Sequence, residues 1–230
     1  MPAKNRLKTY AVGGVYHIYN RGYEGREVFK TDEDFNYFKD CLRRYAGKYE
    51  EVTDPRYKSD RPYIRQHKRE MNLAGEVAIW AYCLLPDHFH LLVHQSSESG
   101  MVKLMRRVMT NYVMYFNRRY HRKGILFENV YRAVLVPDEE RVVSLSKYIH
   151  LNPAARVVKK YGLVATISSQ TPEYYMYSSY PDYVGERVEE WVETHPVLKK
   201  LEEMGRKSYK EYVEDEAVGW NKGLEGLTLE

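Results

Sequence analysis

Apolar and polar positions along this chain change period several times, and each change marks an element. Residues 14–20, Gly-Val-Tyr-His-Ile-Tyr-Asn, alternate and are rich in β-formers, which predicts a first strand ended by Arg21-Gly22. Thr31 followed by Asp32, Glu33 and Asp34 reads as a capped helix start with acids in its first turn. Phe35, Phe38, Leu42 and Tyr45 give that helix one apolar face. From about residue 50 to 73 the chain is charged, carries Pro55 and Pro62 and shows no period, so an insertion is expected there. Residues 77–84 and 88–94 are apolar runs of strand length, joined by a tight turn at Pro86-Asp87. Met101, Leu104, Val108, Tyr112 and Phe116 recur at helical spacing and predict a long second helix ending near Gly124. Residues 131–136 predict a fourth strand. Pro137 and the acids Asp138, Glu139 and Glu140 open a third helix. That helix is expected to end by Asn152, because Pro153 disfavours helical geometry in the residue before it.

The order strand, helix, strand, strand, helix, strand matches the split β-α-β form. It predicts an α+β, ferredoxin-like fold: a four-stranded antiparallel sheet with helices packed on one face. A first domain over 1–155 would hold the insertion, and 156–230 would form a mainly helical C-terminal extension.

The third predicted strand carries the chemistry. In Asp87-His88-Phe89-His90-Leu91, strand alternation puts His88 and His90 on one side and Phe89 on the other, in the core. Two imidazoles on one face can meet a single divalent cation, at a site expected on the sheet surface rather than in the core. The alternative is a hydrogen-bonded pair of structural histidines. Tyr148 and Asn152, four apart on the third helix, share a face. Each has a plain reading as well: Tyr148 as packing, Asn152 as a helix C-cap before proline. The chain holds 23 tyrosines, and Tyr112, Tyr115 and Tyr120 compete with Tyr148 for any special role. His17, His94 and His150 read as structural or supporting groups rather than ligands, and Asp87 as a turn residue.

Charge narrows the partner. The net charge is +4, yet residues 186–230 carry twelve acids against seven bases, so the preceding part stands at +9. Between Met101 and Phe127 lie Lys103, Arg106, Arg107, Arg118, Arg119, Arg122 and Lys123 with no acid at all. Like charges at helical spacing destabilise a helix, so a nucleic acid is the expected counterpart, with these residues and Arg21 as candidate phosphate contacts. No apolar run approaches the ~20 residues that span a bilayer, so no membrane partner is expected. The N-terminus lacks the apolar stretch of a signal peptide, which makes the cytoplasm the default. Cys41 and Cys83 are too few for a disulfide framework or a thiolate zinc site.

Several segments together resemble a known family. They are Tyr16-His17-Ile18 with Arg21-Gly22; Leu85-Pro86-Asp87-His88-Phe89-His90-Leu91-Leu92; Tyr115-Phe116-Asn117 with Gly124, Leu126 and Phe127; and Tyr148-Ile149-His150-Leu151-Asn152-Pro153. Ser178-Ser179-Tyr180 and Tyr183-Val184-Gly185 extend the likeness, which covers about residues 10–185. The chain is similar to the single-tyrosine HUH transposases of the insertion-sequence family, and more closely to the REP-associated tyrosine transposase (RAYT) branch. The resemblance implies an HUH nuclease domain that cleaves and transfers single-stranded or hairpin DNA through a 5′-phosphotyrosine. It implies Tyr148 as nucleophile, with His88, His90 and Asn152 holding Mg²⁺ or Mn²⁺. The longer insertion and the acidic tail with Trp191, Tyr209 and Trp220 depart from the family pattern. The tail suits a helical cap on the sheet, a partner surface or a screen against non-specific DNA. Two other classes compete: a domesticated or non-catalytic single-stranded nucleic-acid-binding protein, and a hydrolase using its H-x-H pair with water. The latter draws further His or Asp ligands from many strands, and this chain is short of them. Monomer and dimer both remain open.

Overall fold

A computed structural model describes residues 10–48, 71–161, 175–215, 224 and 226–227, with the backbone alone for 154–161. The expected insertion lies outside the described residues except for 71–73, as does Trp220. Strands β1 (Val15–Arg21), β2 (Val77–Leu85), β3 (His88–Gln95) and β4 (Arg132–Leu135) form one sheet in the order β2-β3-β1-β4, antiparallel throughout. The α+β, split β-α-β expectation is met. Helices α1 (Asp32–Ala46) and α2 (Gly100–Arg119) cover one face, where Ile18, Phe89, Leu91 and Val93 pack on Phe38, Leu104, Val108 and Tyr112.

Local chemistry sets these elements. At the start of α1, the buried Asp34 carboxylate accepts the backbone N–H groups of Lys30 and Thr31 at 2.9 and 3.2 Å. It also accepts the hydroxyls of Tyr115 and Tyr120 at 3.1 and 2.7 Å, which ties α1 to the end of α2. Alternation lets the all-apolar β2 feed both cores, and a register shift between Ile79 and Ala81 flips its parity: Ile79 and Tyr82 go to one core, Ala81 and Cys83 to the other. At the end of β1, a Cβ on Gly22 would sit 2.0 Å from the Arg26 carbonyl oxygen, so glycine alone permits that close turn.

The third helix differs from expectation. Helix α3 runs Glu139–Tyr161 with Pro153 inside it, so Asn152 is not its C-cap. Pro153 lacks the N–H that would reach the Ile149 carbonyl. In the same turn, Asn152 Nδ2 donates to the Tyr148 carbonyl at 2.8 Å, adding a side-chain donor beside the lost one. Packing over the sheet, rather than local propensity, carries the helix through its proline. Helix α2 stops at Arg119, a turn earlier than Gly124, where His121 takes a φ of 49°.

α3 lies on the opposite face from α1 and α2, together with α4 (Tyr180–Tyr183), α5 (His195–Glu203) and α6 (Tyr209–Glu214). Within the described part of the acidic tail, α5 and α6 cap this face, whereas Trp191 and Val192 join the core on the other. Val197, Leu201, Tyr209 and Tyr212 share a core with Val143 and Tyr148, and Lys147 Nζ donates to the carbonyls of Tyr212 and Asp215 at 2.9 and 2.8 Å. The segment before α4 also covers the free edge of β2. Leu84 N–H donates to Tyr177 O and Ser179 N–H to Tyr82 O, both at 2.9 Å. No described helix is long and apolar enough to cross a membrane.

Candidate active site

Alternation along β1 and β3 places His17, His88 and His90 on the face that α3 covers, as Phe89 and Ile18 go to the other. The rings of His88 and His90 meet edge to face with centroids 5.1 Å apart. Tyr148 reaches this pair from α3: its ring stands edge-on to His90 at 5.6 Å and to His17 at 6.2 Å. The structure therefore brings His88, His90 and Tyr148 together. Asn152 follows one turn after Tyr148, and its recorded bond is to the Tyr148 carbonyl rather than to either histidine.

The site is not at the surface, contrary to the sequence expectation. His90 is 0% and Tyr148 2% exposed, because α3 lies over the strands. The Nε2 of His90 is buried without a hydrogen-bond partner among the described residues. Such an orphan is costly unless something else ligates it. Burial holds the pKa of His90 well below the usual imidazole range, with the neighbouring charges of His88 and His17 acting in the same direction. A neutral ring is the form that binds a cation. His88, less buried, sends Nδ1–H to Asp87 Oδ1 at 2.8 Å, which leaves its Nε2 as the lone-pair nitrogen. Asp87 is itself 3.5 Å from the Arg21 guanidinium. The sequence assigns Asp87 mainly to the turn, with a direct metal role as the lesser alternative; its adjacency to the first histidine is the signal for this orienting bond.

These observations leave His88 Nε2 and His90 Nε2 as the two nitrogens that could hold a divalent cation. Among the described residues no cluster of three His, Cys, Asp or Glu side chains forms a metal site, so an all-protein cage of those types is not on offer.

The rival tyrosines have other employment on the far side of the sheet. Tyr112 donates to the Val28 carbonyl, and Tyr115 and Tyr120 serve Asp34. The basic stretch is on that side too, and it is less unbalanced than its sequence suggests. Carboxylates from elsewhere compensate it: Lys103 pairs with Glu76 at 2.9 Å and Arg119 with Glu33 at 3.4 Å, while Arg107 donates to the Met71 carbonyl. Arg106, Arg118 and Lys123 are exposed, and Arg122 lies over the Phe116 ring at 5.7 Å. The loop after α2 then returns to the site end of β1: Tyr23 N–H donates to Leu126 O and Glu128 N–H to Arg21 O, both at 2.9 Å. Arg122 and Lys123 precede that loop segment in sequence. Lys103, Arg106 and Arg107 start the helix and are not brought there.

Residues 53–152, which contain His88, His90, Tyr148 and Asn152, match the family described as "Transposase IS200 like". The chain is also similar to a solved structure of a REP-associated tyrosine transposase bound to a REP hairpin, at 13% identity and a TM-score of 0.46. That alignment covers 83% of this chain and 92% of the other. No curated protein matches the sequence.

Proposed function

We propose that the protein is a metal-dependent tyrosine endonuclease that cleaves and transfers single-stranded or hairpin DNA. The observation that carries this reading is the buried, unpartnered Nε2 of His90 beside the Tyr148 ring. Mg²⁺ or Mn²⁺ held by His88, His90 and Asn152 would neutralise charge on a scissile phosphate. Two imidazole nitrogens favour Mn²⁺ over the harder Mg²⁺. The Tyr148 oxygen bonds to phosphorus as its proton leaves. The bond from phosphorus to the 3′ oxygen breaks, and that oxygen takes up a proton. The products are a 5′-phosphotyrosine and a free 3′-hydroxyl, which conserve the energy of the phosphodiester for rejoining. Because Tyr148 is buried, its cover must open for a phosphate to reach it.

Arg118 and Arg119 at the end of α2, Arg122 and Lys123 in the loop after it, and Arg21 are the phosphate contacts proposed for the site. Exposed positive charge of this kind makes binding fall steeply with salt. A non-catalytic binding module accounts for the same burial of Tyr148 as packing alone, so the test must address chemistry. The full chain is incubated with labelled single strands copied from the DNA flanking its gene. Cleavage is expected with Mn²⁺, and its loss in chelator and in His88→Ala. Undiminished cleavage in excess chelator contradicts the reading.

A further inference from the structure

A chain of hydrogen bonds runs from residue 227 to the orphan nitrogen of His90, and its polarity can be read atom by atom. The Leu227 carbonyl can only accept, so His17 Nδ1, bonded to it, carries the hydrogen. His17 is 0% exposed, and its two nitrogens meet a carbonyl and an imidazole, with no carboxylate paired to it among the described residues, so the ring is held neutral. A neutral imidazole with hydrogen on Nδ1 has only an acceptor at Nε2. That Nε2 lies 2.9 Å from His90 Nδ1, so His90 must donate there. Its own Nε2 is then the lone-pair nitrogen, the same atom that lacks a partner.

We infer that His17, held by the Leu227 carbonyl, is a positioning residue that locks His90 in the tautomer whose Nε2 is open to a divalent cation. The inference rests on the metal site proposed above. The sheet makes the relay possible: His17 stands opposite Leu92 and His90 opposite Tyr19, so the two rings are diagonal neighbours on one face, stacked at 5.1 Å and 16°. The two histidines of the pair are oriented differently. His88, partly exposed, has a carboxylate, whereas fully buried His90 has a neutral ring and a carbonyl. An ionised carboxylate at that depth would carry a heavy desolvation cost, and the relay sets the tautomer without adding charge.

Two measurements on the full chain test this. In metal-free protein labelled with ¹⁵N at histidine, long-range ¹H–¹⁵N spectra should show His17 and His90 both neutral with hydrogen on Nδ1. Calorimetric titration with Mn²⁺ should then show binding weakened about 10- to 100-fold in His17→Phe, which keeps a ring and removes both nitrogens. In His17→Gln, one amide can offer oxygen to His90 and N–H to Leu227, so affinity should return to within about threefold of wild type, the rescue expected of a hydrogen-bonded orienter. Should His17→Phe not fold, the wild-type spectrum and His17→Gln still decide. Hydrogen on Nε2 of His90, or His17→Phe binding Mn²⁺ as wild type does, overturns the inference alone. Wild-type protein that binds no Mn²⁺ overturns the proposed metal site, and the inference falls with it.

Discussion

On the α1/α2 side of the sheet, Ile18, Phe89 and Leu91 pack into rings from Phe29, Phe38 and Tyr112, an interior of apolar side chains. On the α3 side, the alternate residues of the same strands are His17, His88 and His90, and what meets them includes Tyr148. The two faces differ by a shift of one residue along each strand. One buries hydrocarbon for stability. The other buries imidazoles, each of which needs a partner, and this chain supplies partners from distant segments. His17 is served from residue 227, His150 from Tyr209 and Ser179, and His90 from His17. The first face holds the second in position, so substitutions on the two should separate stability from chemistry.

The largest expected effect on stability lies on the apolar face. Phe38→Ala, at a fully buried position, should destabilise by about 3–5 kcal/mol in urea unfolding, while Mn²⁺ affinity of the folded fraction stays as in wild type. A smaller loss paired with a changed metal affinity would show that the faces are not independent.

The α3 face should respond to pH instead. His150 Nδ1 and Nε2 lie 2.7 and 2.8 Å from the Tyr209 hydroxyl and Ser179 Oγ, with the Tyr180 and Tyr183 rings around it. Burial, with the nearby charge of Arg187 adding to it, lowers its pKa to about 3. The folded value is below the unfolded one, so the unfolded chain binds the proton first. Stability from this group is fully present above pH ~6.5 and declines as pH falls towards 3, by up to about 1.4 kcal/mol per pH unit. Urea midpoints at pH 7, 6 and 5 should therefore fall less steeply in His150→Gln. Equal slopes would mean that His150 is not held neutral.

How much of this division was legible in the sequence follows from its physics. Alternation in Val15–Arg21 and His88–Gln95 is local, so the strands, the parity of His88 and His90, and the apolar faces of α1 and α2 could all be read. Tyr148 and Asn152 were legible as a pair four apart. The passage of α3 through Pro153 was not, because packing outweighed a local preference. Nor was the compensation of Lys103 by Glu76, a contact between residues 27 positions apart. The covering of the site by α3, and the bond from His17 to Leu227 across 210 positions, are tertiary facts without a local signature.

The smallest expected effect concerns the basic stretch of α2 and the loop after it. Lys123→Ala should lower the salt slope for binding a flanking single strand by about 0.7, one phosphate contact. Lys103→Ala, already paired with Glu76, should change it less. The reverse order would move the DNA path to the start of α2.

The most direct measurement asks whether the polar face does chemistry through Tyr148. Full-length protein and Tyr148→Phe are mixed with 3′-labelled strands from the gene's flanks and Mn²⁺, then run on a denaturing gel. The substitution removes one oxygen and keeps the ring, so strand binding and unfolding midpoint should be nearly unchanged. Wild type should give a protein-linked band, and Tyr148→Phe should give none. A linked band that persists in Tyr148→Phe would contradict the assignment of this residue as nucleophile.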